Sequence, residues 1–440
     1  MELYIAYSGD IKRLFLALFE TSLISYCFFQ CRLSLTGVSM KTFIALVFTF
    51  SLMLATDESK QLTATYPLQD SDQSNRLLCQ MQSDLMTYLY ETPLFSYEFF
   101  NTNKNRLQSE SITTWIHGDV YMHTMAAHEA SLHAIFKDSH TTHMGDYRYD
   151  LFTLLNDLLL KMQDESDFSG SKEKAIMGTL IDSYFDKIQN IQAQCPCIDD
   201  ALSKVKQSDP LSQYTTLKNN QRLLNFKLEN LSHPTRVQEQ QIKQTMRRHA
   251  SRKALNPILD IKSIAIDSFG NYLLLCEGKS SDIRDDLLLT LKAESLPASY
   301  RIDADMKKKF KDISLIQRIQ VTSTLMPDNY NEVIRIGNRD FILNRLNPSL
   351  QLKPRSEKTH SYKSYASALG FMLASFHSDV RLETGRRFTT KINQEVKTRQ
   401  FKVEMIEMVY AYNEQLEKRW ERFGESYTSS CKTQLLSDIR

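Results

Sequence analysis

Residues 115–119 read Trp115-Ile116-His117-Gly118-Asp119, a Gly-Asp pair placed directly after an apolar run and followed by more polar residues. That is the layout of a phosphotransferase catalytic loop. In such a loop the carboxylate accepts the proton of an attacking hydroxyl, and a side-chain oxygen a few residues later holds magnesium. A second acidic segment then bridges the metal to the phosphates. Further along stand Phe136-Lys137-Asp138 and, opening a strongly apolar stretch, Tyr149-Asp150-Leu151. His-Gly-Asp alone is a short string that recurs by chance, so the surrounding chain has to carry the reading.

Outward from the loop, residues 151–163 carry Leu151, Phe152, Leu154, Leu155, Leu158, Leu159 and Met162, a wide apolar stripe that predicts a well-buried helix. Helical spacing continues through Ile176, Leu180, Tyr184 and Ile188, and precedes the loop over 75–90 at Leu77, Met81, Leu85 and Leu89. A polar, basic stretch fills 207–253, with a solvated helix predicted over 238–253. The period then changes. Runs at 258–266, 271–277 and 287–293 predict a three-stranded meander turning near Phe269-Gly270, and 331–346 predicts a hairpin turning at Gly337-Asn338. Helical patterning returns over 362–377 and 401–420. The expected class is α+β, mostly helical with a small antiparallel strand-rich lobe. Its expected parts are a helical unit at 76–255, the strand-rich lobe at 256–350 and a C-terminal helical region at 351–440.

Of the 440 residues, 42% are apolar and 24% charged, a globular balance that argues against disorder. A formal net charge of +2 gives no electrostatic reason to expect a nucleic-acid partner. The apolar run at 43–55 sits behind Met40, Lys41 and Thr42, which together have the parts of a secretory signal ending at Ala55. The expectation is an exported protein, periplasmic or secreted. It has residues 1–39 upstream of the true start, a signal peptide at 40–55, a linker at 56–75 and no membrane attachment after cleavage. A membrane-anchored N-terminus starting at Met1 is the competing reading, but neither apolar run reaches the ~20 residues a span needs. Cys79, Cys195, Cys197, Cys276 and Cys431 follow Met40, and export permits one or two disulfides with a thiol left over. Cys195-Pro-Cys197 is too short for a metal knuckle.

Taken in order, eight segments resemble those of the bacterial domain-of-unknown-function 2252 family across residues 76–420. They are Thr92-Pro93, His117-Gly118-Asp119, Asp138, Tyr149-Asp150-Leu151, Lys292-Ala293-Glu294, Gln317-Arg318, Asn338-Arg339-Asp340-Phe341, and Leu373-Ala374 with His377. The resemblance implies a kinase-like fold, similar to aminoglycoside phosphotransferases, that uses ATP and magnesium. The lysine strand follows the catalytic loop here, so the lobes of such a fold would be circularly permuted, which termini lying close together allow. Carried over residue by residue, the resemblance makes Asp119 the catalytic base and has Asp150 orient the loop. Asp138 becomes a magnesium ligand, with Thr124 and His140 at the other metal positions. Lys292, Gly270, Gln317 and Arg318 fall around the nucleotide.

The pattern is eroded. The family's histidine after Gly-Asp is Tyr121, its magnesium-binding asparagine is Thr124, and its second acidic-segment carboxylate is His140. Its Phe-Phe-Arg-Gly arginine is Glu98, and the glycine-rich loop has shrunk to Gly270. Magnesium wants hard oxygens in an octahedral array, so a descendant with weak or no phosphotransferase activity is expected, binding an unidentified small molecule or protein. An active ATP-dependent phosphotransferase or secreted effector is the alternative. A third reading uses the histidines, six of which lie at 117, 123, 128, 133, 140 and 143, since imidazole suits zinc or copper. Against it, these residues also read as surface and loop histidines, and 128 and 133 are badly spaced for one helical face.

Overall fold

Helical periodicity organises the first part of the chain, and it is interrupted where polar side chains offer the backbone better partners. The computed structural model describes residues 71–438 apart from 108, 110, 129–133, 137–140, 166–167, 191–209, 220, 229–230, 253–259, 268–269, 279, 295, 326–330, 347–348, 352–353, 355, 380 and 396–397. The expected upstream segment, signal peptide and most of the linker lie outside the described residues, as does Cys195-Pro-Cys197.

Helices α1 (Ser71–Ser83), α2 (Leu85–Glu91) and α3 (Pro93–Asn103) come first. The single helix expected over 75–90 breaks at Asp84. That carboxylate accepts from the N–H groups of Met86 (3.2 Å) and Thr87 (2.9 Å) and so caps α2. Strands β1 (Thr113–Ile116), β2 (Met125–His128), β3 (Ala134–Phe136) and β4 (His143–Asp146) follow. β1 and β4 pair antiparallel with Ile116 opposite His143. The long helices α4 (Tyr147–Glu165) and α5 (Gly170–Gln189) come next. As the apolar stripe predicts, Leu151, Leu154, Leu155, Leu158 and Leu159 of α4 are all buried.

The middle of the chain holds α6 (Pro210–Tyr214), β5 (Thr215–Lys218), β6 (Gln221–Leu224), β7 (Leu231–Ser232), α7 (Arg236–Arg252), β8 (Ile261–Asp267), β9 (Tyr272–Cys276) and β10 (Leu287–Ala293). Three helices follow, α8 (Ala298–Ile302), α9 (Ala304–Lys309) and α10 (Leu315–Leu325), and then β11 (Asn331–Ile336), β12 (Arg339–Arg345) and β13 (Ser349–Gln351). A six-stranded antiparallel sheet runs β11-β12-β10-β9-β8-β7, which contains the expected meander and the hairpin at Gly337. The layer draws on chain before residue 256. β7 forms its edge, and α7, expected to be solvated, buries Ile242 and Met246 in the sheet's core. Two apolar residues one turn apart suffice to dock a helix whose other faces are polar. β13 leaves this sheet to pair with β2, which also pairs with β3.

Helices α11 (Thr359–His377), α12 (Glu383–Glu395) and α13 (Thr398–Asp438) complete the chain and share the large apolar core with α1 to α5. The protein is therefore α+β and mostly helical, with antiparallel sheets. Among the described residues no helix is long and apolar enough to cross a membrane. Cys79 is disulfide-bonded. Cys276 is a free thiol buried in the sheet, and burial pushes it up to about 12.

α5 and α11 approach so closely that side chains are excluded at one point. A Cβ at Gly370 would lie 2.1 Å from the Leu180 carbonyl oxygen. Ser183 donates to the Ser367 carbonyl at 2.8 Å along the same seam. Gly370→Ala would gain about 1 kcal/mol of helix propensity, but the obstacle is backbone and cannot rotate away. We expect a net loss of roughly 1–3 kcal/mol, read as a lower urea midpoint; an unchanged or higher midpoint would show that the seam has slack.

Candidate functional site

The loop after β1 is fixed from below by α4. The N–H groups of His117 and Gly118 donate to the two oxygens of Asp150, at 2.7 and 2.9 Å. Asp150 stands in the first turn of α4, where the helix dipole favours an anion, and it is fully buried. Its third partner is His377 at the C-terminal end of α11. Nε2 lies 3.0 Å from Asp150 Oδ2, so Nε2 carries the proton, because a carboxylate can only accept. His377 Nδ1 then accepts from the Tyr184 hydroxyl at 2.7 Å. Burial holds that phenol far above its ordinary value, which keeps its proton in place. Burial raises the Asp150 carboxyl, but the hydrogen bond from His377, together with the electrostatic pull of His377 and His117 and the His117 N–H, outweighs it. The net direction is down, and Asp150 is a carboxylate.

A second carboxylate on the same helix holds the far end of the loop. Asp157, two turns beyond Asp150, accepts from the Met122 N–H and from the Tyr90 hydroxyl (2.8 Å). Burial pushes Asp157 up to about 6 against those hydrogen bonds.

Between these anchors Gly118 adopts φ +90°, and a Cβ there would meet His143 Cε1 at 2.8 Å and the Thr141 carbonyl oxygen at 3.0 Å, so only glycine fits. Asp119 is left half-buried. Burial, and then the charge of Asp150, raise its carboxyl to about 7, while the Thr141 hydroxyl and the charge of Arg301 pull the other way. A half-ionised carboxyl at neutral pH is suited to exchanging a proton with a bound hydroxyl. His143 lies alongside. Its Nδ1–H donates to the Thr141 carbonyl at 2.7 Å, and its Nε2 accepts from Ser299 on α8 at 2.6 Å. Burial pushes His143 down to about 4, so the ring is neutral. A surface cleft of about 290 Å³ opens beside β1 between Trp115 and α10.

The structure brings some of the predicted residues together and gives others different work. Asp119 and Asp150 share the loop. Arg318 is buried on α10, and its charge acts on His143 and is itself influenced by Glu294. Lys292 is half-buried on β10 opposite Ile342, the residue that packs on α10 through Leu315 and Ile319. The field of Arg301 on α8 reaches Asp119. Gly270, at φ +77°, turns the β8–β9 hairpin, with its N–H bonded to the Asp267 carbonyl. Gln317 is a helix cap: its amide oxygen accepts from the Ser314 N–H (2.7 Å), and its own N–H donates to the Ser314 hydroxyl. Thr124 is also engaged locally. Its hydroxyl donates to the Tyr121 carbonyl (2.7 Å) and accepts from the Tyr121 N–H (3.1 Å). Asp138 and His140 lie outside the described residues.

Two of the oxygen-bearing residues near the loop are already engaged. The oxygens of Asp150 are filled by three N–H donors, and that of Thr124 is committed to its turn. Among the described residues no group of three or more His, Cys, Asp or Glu side chains could hold a metal ion. Sequence reasoning did not single out Ser299, Arg301, Tyr184 or Asp157 as site residues. Only Asp157 had a signal, its seven-residue spacing from Asp150 on a helix already predicted. No protein-family model, curated protein or solved structure matches the chain.

The raised Asp119 carboxyl has a sign that can be tested. The unfolded chain releases this proton near pH ~3.9, whereas the folded protein keeps it up to about pH 7. Asp119 therefore lowers stability progressively as pH rises through that window, and the loss is complete above it. Asp119→Asn removes the ionisation. The variant should match the wild type at pH 4 and be more stable at pH 8 by at most about 4 kcal/mol, less as water reaches the half-buried group. Urea midpoints at the two pH values check this; equal stabilities at pH 8 would mean an unperturbed acid.

Proposed function

We propose that the chain is an exported, divergent relative of the 2252 family, built on a kinase-like fold with permuted lobes. In this reading it binds a nucleotide or another small molecule or protein partner at the Asp119 loop, with little or no phosphoryl transfer. The observation that carries the reading is the grip of Asp150 on the backbone of His117 and Gly118. It presents Asp119 as a half-buried acid with a carboxyl near neutrality, one that feels the charge of Arg301. A phosphotransferase loop requires a base held in position to orient the attacking hydroxyl. The antiparallel sheet that follows in the chain, carrying Lys292 and leading into Arg318, agrees in order with the permuted arrangement.

The eroded metal positions support the low-activity form. Thr124 has its hydroxyl in a local turn, and a nucleotide's magnesium needs several free hard oxygens. The carboxyl of Asp119 favours the alternative of an active phosphotransferase, since a base poised near the working pH is effective. Zinc or copper gains little from His143, both of whose ring nitrogens are occupied. The Cys79 disulfide fits an oxidising compartment and supports export.

ATP should raise the melting temperature equally with and without magnesium, Asp119→Ala should keep that shift, and ATP turnover should stay at background. Magnesium-dependent phosphoryl transfer that Asp119→Ala abolishes would establish the enzyme instead, and no shift with any nucleotide would remove the nucleotide reading. For export, N-terminal sequencing of the secreted protein should start just after Ala55; an intact Met1 would exclude the signal peptide.

A further inference from the structure

α10 presents two different faces. Leu315 and Ile319 pack on Ile342 of the sheet, and Arg318 and Thr322 are buried with them. Gln317, Gln320 and Thr324, three and four residues apart, are exposed. With Ile313, Val321 and Trp115 of β1 they line the cleft of about 290 Å³. Val321 also packs against the large apolar core, so the cleft opens where α10 joins the sheet to the helical body. Its polar groups are uncommitted. Trp115 is 9% exposed, yet its indole N–H makes no hydrogen bond among the described residues, whereas Trp420 donates to the Met81 carbonyl at 2.8 Å. A buried indole normally finds an acceptor. Gln317 caps α10 with its amide oxygen, which leaves its NH2 group as a donor. Thr324 donates to the Gln320 carbonyl at 2.9 Å, which leaves lone pairs on its hydroxyl, and the Gln320 amide is not engaged by any described residue.

Among the described residues no ionisable side chain lines the cleft, so nothing in it balances a phosphate, carboxylate or ammonium group. Its size is at the lower end of the ~300–1,000 Å³ typical of small-molecule sites, room for one ring. A heterocyclic base is a poor match. The helical backbone of α10 is bonded to itself and cannot read the edge of a base, and a largely buried indole has little face to stack on. The lining offers N–H donors on Trp115 and Gln317, acceptor lone pairs on Thr324, both kinds on Gln320, and aliphatic carbon on Ile313 and Val321. Hydroxyls, each a donor and an acceptor at once, carried on a ring with C–H faces, answer that mixture. We propose that the cleft between β1 and α10 binds a neutral pyranose sugar, whose hydroxyls bond to Trp115 Nε1 and to the Gln317, Gln320 and Thr324 side chains while its C–H groups rest on Ile313 and Val321.

None of the lining residues belongs to the Asp119 loop, so the nucleotide experiments can fail while this inference stands, and the reverse. The test uses the full-length protein labelled with nitrogen-15 at its two tryptophans, which gives one indole N–H resonance each. Trp115→Phe assigns the pair; should that variant not fold, Trp420→Phe assigns it equally well. Methyl β-glucopyranoside, methyl β-galactopyranoside and N-acetylglucosamine are titrated to tens of millimolar, with adenosine and glucose 6-phosphate alongside. At least one neutral sugar should move the Trp115 resonance saturably and leave that of Trp420 in place. Gln320→Ala removes an exposed side chain that the fold does not use, and should weaken that sugar about three- to tenfold, the worth of one hydrogen bond. A Trp115 resonance that stays still with all three sugars, a saturable shift that Gln320→Ala leaves unchanged, or tighter binding of adenosine or the sugar phosphate than of every neutral sugar overturns the proposal.

Discussion

One buried carboxylate organises the molecule around the loop. Taking Asp150 out of water costs several kcal/mol, and it is tolerated because two backbone N–H groups and an imidazole N–H converge on its oxygens. Hydrogen bonds to a charged group are worth about 1.5–3 kcal/mol each, so three of them and the helix N-terminus offset the burial. The bonds also have directions. They require β1 to end where it does, Gly118 to take a positive φ, and the C-terminus of α11 to arrive with His377 facing inward. Tyr184 extends the chain of donors to α5, so the first turn of α4, the end of α11 and the body of α5 meet through polar contacts inside an otherwise apolar core.

Three aspartates within this small region have been given three different electrostatic settings by their surroundings. Asp150 has more donors than its burial can counter and stays ionised. Asp157 has fewer and rises to about 6. Asp119 is the least supported and feels the neighbouring Asp150 charge, so it rises furthest. Pairs of acids pushed apart in this way divide labour between holding structure and exchanging protons. The acids on the rigid helix hold the loop backbone, and the acid on the loop is left near neutrality.

The helices and hairpins were legible because their signals are local: an apolar stripe on α4, a short apolar run on β10, glycines at the tight turns. Asp150 was legible too, as an acid at the start of a helix that follows a Gly-Asp loop. What escaped reading was long-range or backbone-directed. Nothing in the sequence near Ser299 announces an imidazole from a distant strand, and a threonine that caps its own turn looks the same as one free to bind a metal. α7 is largely solvated as expected, and its docking side went unread for a quantitative reason. Ile242 and Met246 are two apolar residues in a highly polar helix, too few to dominate its average character yet enough to anchor it. Asp84 split a predicted helix because its side chain competes for backbone donors, an effect that apolar periodicity does not register.

The paired anchors on α4 act as a ruler. Asp150 and Asp157 point the same way because seven residues make almost two full turns. Adding or removing a single residue between them would swing the second acid about 100° around the axis and leave the Met122 amide with nothing to meet. The interval is thus a discrete quantity, whereas the side chains bordering the loop can be exchanged one by one without disturbing it.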